Sequence, residues 1–363
     1  MKKLMKLFFA FSIIAVTFLS SCNSKKEGKE KVADTTNYAL PSANGAIGEI
    51  YLLMDSAKWE GELGAEVRKI FNETMPGLLQ NETRFNVSYI RPKSFNRVLK
   101  RTKNLVFITS LESNSSDTEK LKEFYGKAMQ DKFVETGEAY MSAGTDIYAR
   151  GQKVLNIVSG SDRELMKLLK KNKQSIHKFF ADADIARINE KMIFNTHLKN
   201  ELKKEHGFSL NIPDGYKIAK DTAQFVWLRQ PDVKWDKYLI VAYKDYESEK
   251  EFDYDSVIHF RDSLCKKFIY GNPAKKDSYV ITLKDRFRPD TEVTELDGKF
   301  ARELRGHWQT YSQTMGGPFV SYTVTDDENK RLYYVEGFVY APSKDKMPFI
   351  RELEAVLTTF ETN

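Results

Sequence analysis

Three long strand-like runs near the C-terminus limit the folding of this chain more than any other feature. Lys299 to Tyr311, Phe319 to Thr325 and Arg331 to Tyr340 are rich in β-branched and aromatic residues, and short turns separate them. With Asp326-Asp327-Glu328-Asn329 as a hairpin loop, they form an antiparallel meander. An apolar helix follows from about Lys346 to Phe360, with Pro348 accommodated in its first turn. A sheet followed by a helix that packs on it is an α+β layout with largely antiparallel strands.

The same alternation of strand and helix signals runs upstream. In the second half, Thr222 to Arg229, Tyr238 to Tyr243 and Tyr279 to Leu283 read as strands, and Asp255 to Ile269 as a helix. In the first half, Gly48 to Met54 and Asn104 to Thr109 read as strands, the second one buried. Asp146 to Arg150 and Lys153 to Val158 flank Gly151-Gln152 and suggest a hairpin. Glu62 to Met75 reads as a helix, and two capping boxes, at Ser116 and Ser161, each open another. The second of these begins a helical region reaching about Lys204, with a kink expected near Ala181 to Asp184. Gly207 can end it. Some 320 residues are too many for most single cores. Two α+β domains are therefore expected, 45–204 and 205–363.

The N-terminus, up to Cys22, has a different character. Lys2, Lys3 and Lys6 precede an apolar run from Leu7 to Leu19, and Ser20, Ser21 and Cys22 follow. This is the layout of a secretory signal, and the apolar run falls short of the roughly 20 residues that span a bilayer as a helix. Leu19-Ser20-Ser21-Cys22 resembles the bacterial lipobox, whose cysteine thiol accepts diacylglycerol and becomes the first residue of the mature chain. The resemblance implies a signal peptide over 1–21, a lipid anchor on Cys22 and a membrane as partner through the acyl chains. Residues 22–44 then read as a polar, flexible tether. The location expected is the cell envelope, facing the periplasm, since Asn23-Ser24-Lys25-Lys26-Glu27 lacks an acidic run.

Cleavage before Cys22 takes Lys2, Lys3 and Lys6 with it and lowers the net charge from +6 to +3. That near balance gives no electrostatic case for a nucleic-acid partner. With Cys22 acylated, Cys265 is the one remaining cysteine. It shares an apolar helix face with Val257, Phe260, Leu264 and Phe268, which reads as a small buried core residue.

Several stretches together resemble an uncharacterised lipoprotein family of Bacteroidetes, domain of unknown function 4837. They are Gly48-Glu49-Ile50, Trp59-Glu60-Gly61, Arg302 to Trp308, Met315 to Val320, Glu336 to Pro342 and Arg351 to Ala355. The likeness extends over most of the mature chain. It implies an envelope lipoprotein and carries no activity and no functional residues with it. Phe208 to Tyr216 also looks like the opening of the photosystem accessory family PsbP, which implies a non-enzymatic module.

Common catalytic and cofactor signatures are missing: no GxSxG, no HExxH, no phosphate loop, no GxGxxG. No cofactor is expected. The histidine spacings suggest no metal site, and His197 and His206 read as surface residues. The candidate site lies on the strand at 299–311. Period two places Phe300, Arg302, Leu304, Gly306 and Trp308 on one face, and Glu303, Arg305 and His307 on the other. Those three, beside Met315-Gly316-Gly317-Pro318, form a candidate binding cluster in which Gly316 and Gly317 either admit a ligand or make a turn. An inward Arg302 needs a partner, for which Glu336 is the candidate. Trp59, just after the first strand, is either a cap on the core or a contact anchor. The leading expectation is a non-enzymatic binding or accessory protein with an envelope partner. The alternatives are a periplasmic hydrolase using Glu303 and His307, and a small-ligand or glycan-binding module.

Overall fold

The computed structural model describes residues 40–79, 82–125 and 139–362. The expected signal peptide, Cys22 and the expected tether up to residue 39 lie outside the described residues, as does the last part of the helix expected to reach Met129. The described end of the expected tether is fastened. Ala43 N–H donates to the Arg150 carbonyl and Asn44 N–H to that of Arg101, each at 2.8 Å. The expected tether therefore stops short of residue 44.

Residues 49–191 form the first layer set. In chain order they are β1 (Glu49–Met54), α1 (Ser56–Glu60), α2 (Glu62–Phe71), β2 (Asn86–Ile90), β3 (Asn104–Ser110), α3 (Ser116–Phe124), β4 (Tyr140–Thr145), β5 (Lys153–Ser159), α4 (Asp162–Lys171) and α5 (Lys173–Lys191). The sheet order is β2-β1-β3-β5-β4. Four of its strands are parallel and only β4 runs against its neighbour. This half thus departs from the antiparallel expectation, because helices and long loops rather than hairpins join most of its strands. All seven residues of β3 are buried, as a strand covered on both faces requires. One face packs Val67, Ile70, Phe71, Leu165 and Phe180, and the other packs Phe95, Leu121 and Tyr125.

Capping explains where the helices begin. Ser115 accepts from Thr118 N–H and Ser161 from Glu164 N–H, so the first cap sits one residue earlier than expected. The helical region after Ser161 is broken at Asn172 and over 192–195, not near Ala181 to Asp184. Asn172 and Asn195 sit at those breaks, and Asn195 caps the next helix by accepting from Leu198 N–H. The hairpin at Gly151 exists, but its first arm is β4, and residues 146–152 form the connection. Asp146 has φ of 57° there, a left-handed turn conformation that ends the strand.

The second half runs α6 (Thr196–His206), β6 (Phe208–Ser209), β7 (Lys217–Thr222), β8 (Phe225–Pro231), β9 (Asp236–Asp245), α7 (Tyr254–Phe268), β10 (Val280–Thr282), β11 (Asp290–Leu296), β12 (Lys299–Thr310), β13 (Gly316–Asp326), β14 (Arg331–Tyr340), α8 (Met347–Leu357) and β15 (Glu361–Thr362). Its main sheet is antiparallel throughout, in the order β10-β12-β13-β14-β9-β8-β7, with β11 also paired to β12. The meander of β12, β13 and β14 stands as expected. The run expected at Thr222 to Arg229 straddles a turn, and its residues divide between β7 and β8. The α+β class holds for the chain.

Helices cover both faces of this sheet. Leu198 and Leu202 of α6 and Met347, Ile350 and Leu353 of α8 pack on one face with Tyr322, Val324 and Tyr333. Val257, Ile258 and Cys265 of α7 pack on the other with Leu304, Trp308 and Phe338. Cys265 is buried and free, as expected, and burial pushes its thiol up to about 12.

Glu336 is fully buried beneath α7, and its partner is Arg261 rather than Arg302. Arg261 Nε and Nη2 donate to the two carboxylate oxygens at 2.9 and 2.7 Å, and Tyr334 Oη donates at 2.5 Å. Arg302 shares that face, but β13 stands between β12 and β14, so the two side chains are roughly 10 Å apart across the sheet. Arg302 Nη1 reaches Thr291 instead.

Candidate functional site

Residues 75–79 and Glu82 link the halves, and the site is built around them. Gly77 N–H donates to Asp290 Oδ2 at 3.1 Å, and Leu79 N–H donates to His307 Nε2 at 3.0 Å. Glu82 Oε2 accepts from the N–H groups of Lys346 and Met347, at 2.6 and 2.7 Å. A carboxylate at the first turn of α8 answers both its unpaired donors and its dipole. Gly77 has φ of +78°, and a Cβ there would lie 2.9 Å from Arg305 Cβ. Only glycine lets this segment pass so close to β12.

Glu303, Arg305 and His307 do project from one face of β12, yet they serve two different cavities. Glu303 and Arg305 line a polar cleft of 730 Å³ between α5, α8 and β11, together with Arg84, His177 and Arg351. His307 lines a second cavity of 410 Å³ at the far end of the strand, with Trp308, Met315, Gly316, Gly317 and Tyr340. Four residues along a strand separate Glu303 from His307, about 13 Å. The two side chains do not converge on one reacting atom.

Each is also committed elsewhere. Glu303 receives Arg305 Nε at 2.5 Å and Nη2 at 2.7 Å, and Tyr322 Oη at 3.0 Å. Arg305 Nη1 also donates to Glu354, which takes Arg351 Nη1 at 2.8 Å. Burial pushes the Glu354 carboxyl up, but Arg305 and then Arg351 outweigh it and hold the group below the usual range. Arg84 lines the same cleft, and burial, together with Arg305 and Arg351, depresses its guanidinium. The cleft wall is an ion network around Glu303, Arg305, Glu354 and Arg351, in which Arg84 Nε and Arg351 Nε are buried without a hydrogen bond.

His307 is different. Burial, helped by the charge of Lys346, pushes its imidazole down to about 4. It is neutral at pH 7, and its Nε2 lone pair holds the Leu79 N–H. The proton sits on Nδ1, because Nε2 is the acceptor. This histidine anchors residues 77–79 onto the second sheet. It is not a free general base.

Gly316 and Gly317 do not make the turn, and both line this second cavity. They open β13, paired with Gln309 and Trp308 of β12. A Cβ on Gly317 would lie 2.0 Å from the Val339 carbonyl oxygen and 3.2 Å from Trp308 Nε1. The glycine lets Trp308 Nε1 lie 3.3 Å from that same carbonyl, to which it donates. Trp308 is thereby fixed under the cavity floor.

Trp59 lines neither cavity. Its ring stacks on Tyr89, with centroids 4.5 Å apart and planes 5° off parallel, and the Arg68 guanidinium lies 4.7 Å from its centroid. It packs against the first sheet's core, as a capping residue does. His197 is exposed as expected. His206 is not on the surface: its ring sits between Phe208 and Tyr243.

Among the other cavity residues, Leu78, Leu79, Glu82 and Leu283 come from segments away from β12 to β14 in sequence. Glu82 follows no apolar rhythm that ties it to Met347. A lone carboxylate facing a helix start is the one sequence signal, and it names no partner.

Comparison with known families now divides the chain in two. Residues 195–359 match the family model of the Domain of unknown function DUF4837. The second half of this chain is thus similar to DUF4837. Residues 43–193 match another one, the Domain of unknown function DUF8532. The expected DUF4837 likeness across most of the chain is thus narrower than the stretches at Gly48 and Trp59 implied; those fall in DUF8532. No curated protein matches the chain. Among solved structures, the Ran-binding protein Mog1p of Saccharomyces cerevisiae is similar at 7% identity and a TM-score of 0.28, over 43% of this chain and 90% of that one. LpqN, involved in cell envelope biogenesis of Mycobacterium tuberculosis, is similar at 14% identity and a TM-score of 0.28, over 43% and 83%. Human StAR-related lipid transfer protein 5 is similar at 10% identity and a TM-score of 0.23, over 49% and 97%. The 410 Å³ cavity takes residues from both family regions, with Leu78, Leu79 and Glu82 from the linking segment after α2 and the rest from DUF4837.

Proposed function

We propose that this protein is a lipid-anchored binding module of the cell envelope, held to a membrane through Cys22 and facing the periplasm. Its ligand is a small amphipathic group, or a side chain of an envelope partner, seated in the cavity beneath Leu79 and beside His307. One observation carries the reading. The cavity sets Trp308, Met315, Leu283 and Tyr340 beside a polar rim of Gln309, Gln313 and Lys346. That mixture of apolar wall and few polar groups is what small-ligand sites have in common.

The anchor rests on Leu19-Ser20-Ser21-Cys22 behind a basic and apolar leader. No helix among the described residues is long and apolar enough to cross a membrane. The hydrolase alternative lacks the geometry it needs, since Glu303 is held by Arg305 and Tyr322 while His307 lies in the other cavity with Nε2 occupied.

Native mass spectrometry of the chain purified from its own membranes tests the reading. A co-purifying mass that disappears in Tyr340→Ala and persists in Arg302→Ala supports it. A bare chain in both, with no ligand shift from an envelope extract, overturns it.

A further inference from the structure

A second candidate site lies at the far edge of the main sheet, where the end of α6 meets β7. Glu205 and His206 close α6, and Asp221 lies near the end of β7. One ligand atom from each of the three lies within 4.8 Å of the others.

The hydrogen bonds fix the histidine's tautomer. Tyr243 Oη donates its one hydrogen to the Ala223 carbonyl. On its other side it lies 3.2 Å from His206 Nδ1, so there the hydroxyl oxygen accepts and Nδ1 carries the hydrogen. The neutral ring then has its lone pair on Nε2. That atom is buried and makes no well-directed hydrogen bond, although Asp221 Oδ1 stands 3.0 Å away. Distance alone qualifies the contact as an ion pair, while its angle fails for a hydrogen bond. The angle matters more for the chemistry, because two lone pairs 3.0 Å apart repel unless a positive charge lies between them. A cation bound to both atoms need not lie on the line joining them.

We propose that Glu205, His206 and Asp221 bind a divalent transition-metal ion of the zinc type. One imidazole nitrogen and two carboxylates suit such an ion rather than calcium or magnesium, which favour oxygen alone. Two ligands of a tetrahedral zinc ion, each about 2.0–2.2 Å from the metal, are about 3.3 Å apart, close to the spacing of His206 and Asp221. The exposed Glu205 side chain closes the set by rotating inward. Tyr243 is the outer partner that orients the ring. The C-terminal dipole of α6 favours a cation, while Arg331, whose Nη1 lies 3.5 Å from the His206 carbonyl, opposes it. The bound ion fastens the exposed edge strand β7 to α6.

The test is a cobalt(II) titration of the full chain in detergent after EDTA treatment, followed by visible absorption, with zinc(II) as competitor. The expected result is saturation at one equivalent, displaced by zinc. Tyr243→Phe weakens the dissociation constant by about 10–100-fold, as loss of an outer partner does, and Asp221→Asn by more. Asp221 is partly exposed, so its variant keeps the fold, and circular dichroism checks this. Absence of saturable uptake, or an affinity unchanged in Asp221→Asn, overturns the proposal. So does a nitrogen NMR spectrum that shows a hydrogen on Nε2 with metal present, which marks an imidazolium–aspartate pair.

Discussion

Lowering the pH should loosen this protein through His307 before its carboxylates titrate. In the folded chain the ring titrates at about 4, against 6.5 in the unfolded chain. Between those values the unfolded state binds a proton that the folded state refuses. Stability contributed by neutral His307 is therefore complete above pH 6.5 and falls as pH drops towards 4. The slope is about 1.4 kcal/mol per pH unit, so the whole effect is about 3 kcal/mol, and less after allowing for the ring's partial exposure. His307→Gln separates this from carboxylate titration. A glutamine amide oxygen can accept the Leu79 N–H but does not titrate. Urea unfolding of wild type and variant at pH 7 and pH 5 gives two differences. The gap should move by about 2 kcal/mol in favour of the variant at pH 5. The protection factor of the Leu79 amide, corrected for the intrinsic pH dependence of exchange, should fall over the same range in wild type only. A gap that stays the same at both pH values would refute a buried neutral histidine that pins residues 77–79.

Three further outcomes follow from the packing. Glu336→Gln leaves Arg261 buried without its counter-charge and should cost about 3–5 kcal/mol in urea unfolding; a cost under about 1 kcal/mol would mean the pair is solvated. Gly317→Ala drives a methyl group into the Val339 carbonyl, and calorimetry should show a loss of at least about 2 kcal/mol, along with weaker ligand retention in the cavity. Cys265 should resist alkylation in the folded Cys22→Ala chain at pH 8 and react only with unfolding, since burial holds its thiol near 12; rapid labelling of the native chain would contradict that.

The parts of the fold that show in the sequence are those with local causes. β12 to β14 announce themselves by residue type and by turn residues, and Ser161 and Gly207 mark helix limits through their own chemistry. Strand direction in the first sheet is not local. β1, β2 and β3 look alike whether their neighbours run parallel or antiparallel, because only the connections decide. At the site, alternation along β12 correctly groups Glu303, Arg305 and His307 on one face. It does not reveal that Arg305 turns to Glu354, or that the segment carrying Leu79 crosses the strand end between Arg305 and His307. Arg302 shows the same limit. Its face was legible, but the partner of Glu336 comes from α7, 75 residues earlier in the chain.

The most direct test of the binding role is a photo-crosslinking residue placed at Gln313, on the cavity rim, in cells carrying the full chain. The same residue at exposed Val233 serves as control. The account predicts one defined adduct from position 313, absent at 233 and lost when Tyr340→Ala is added. Identical labelling from both positions, or an adduct that survives Tyr340→Ala unchanged, would contradict a ligand in that cavity.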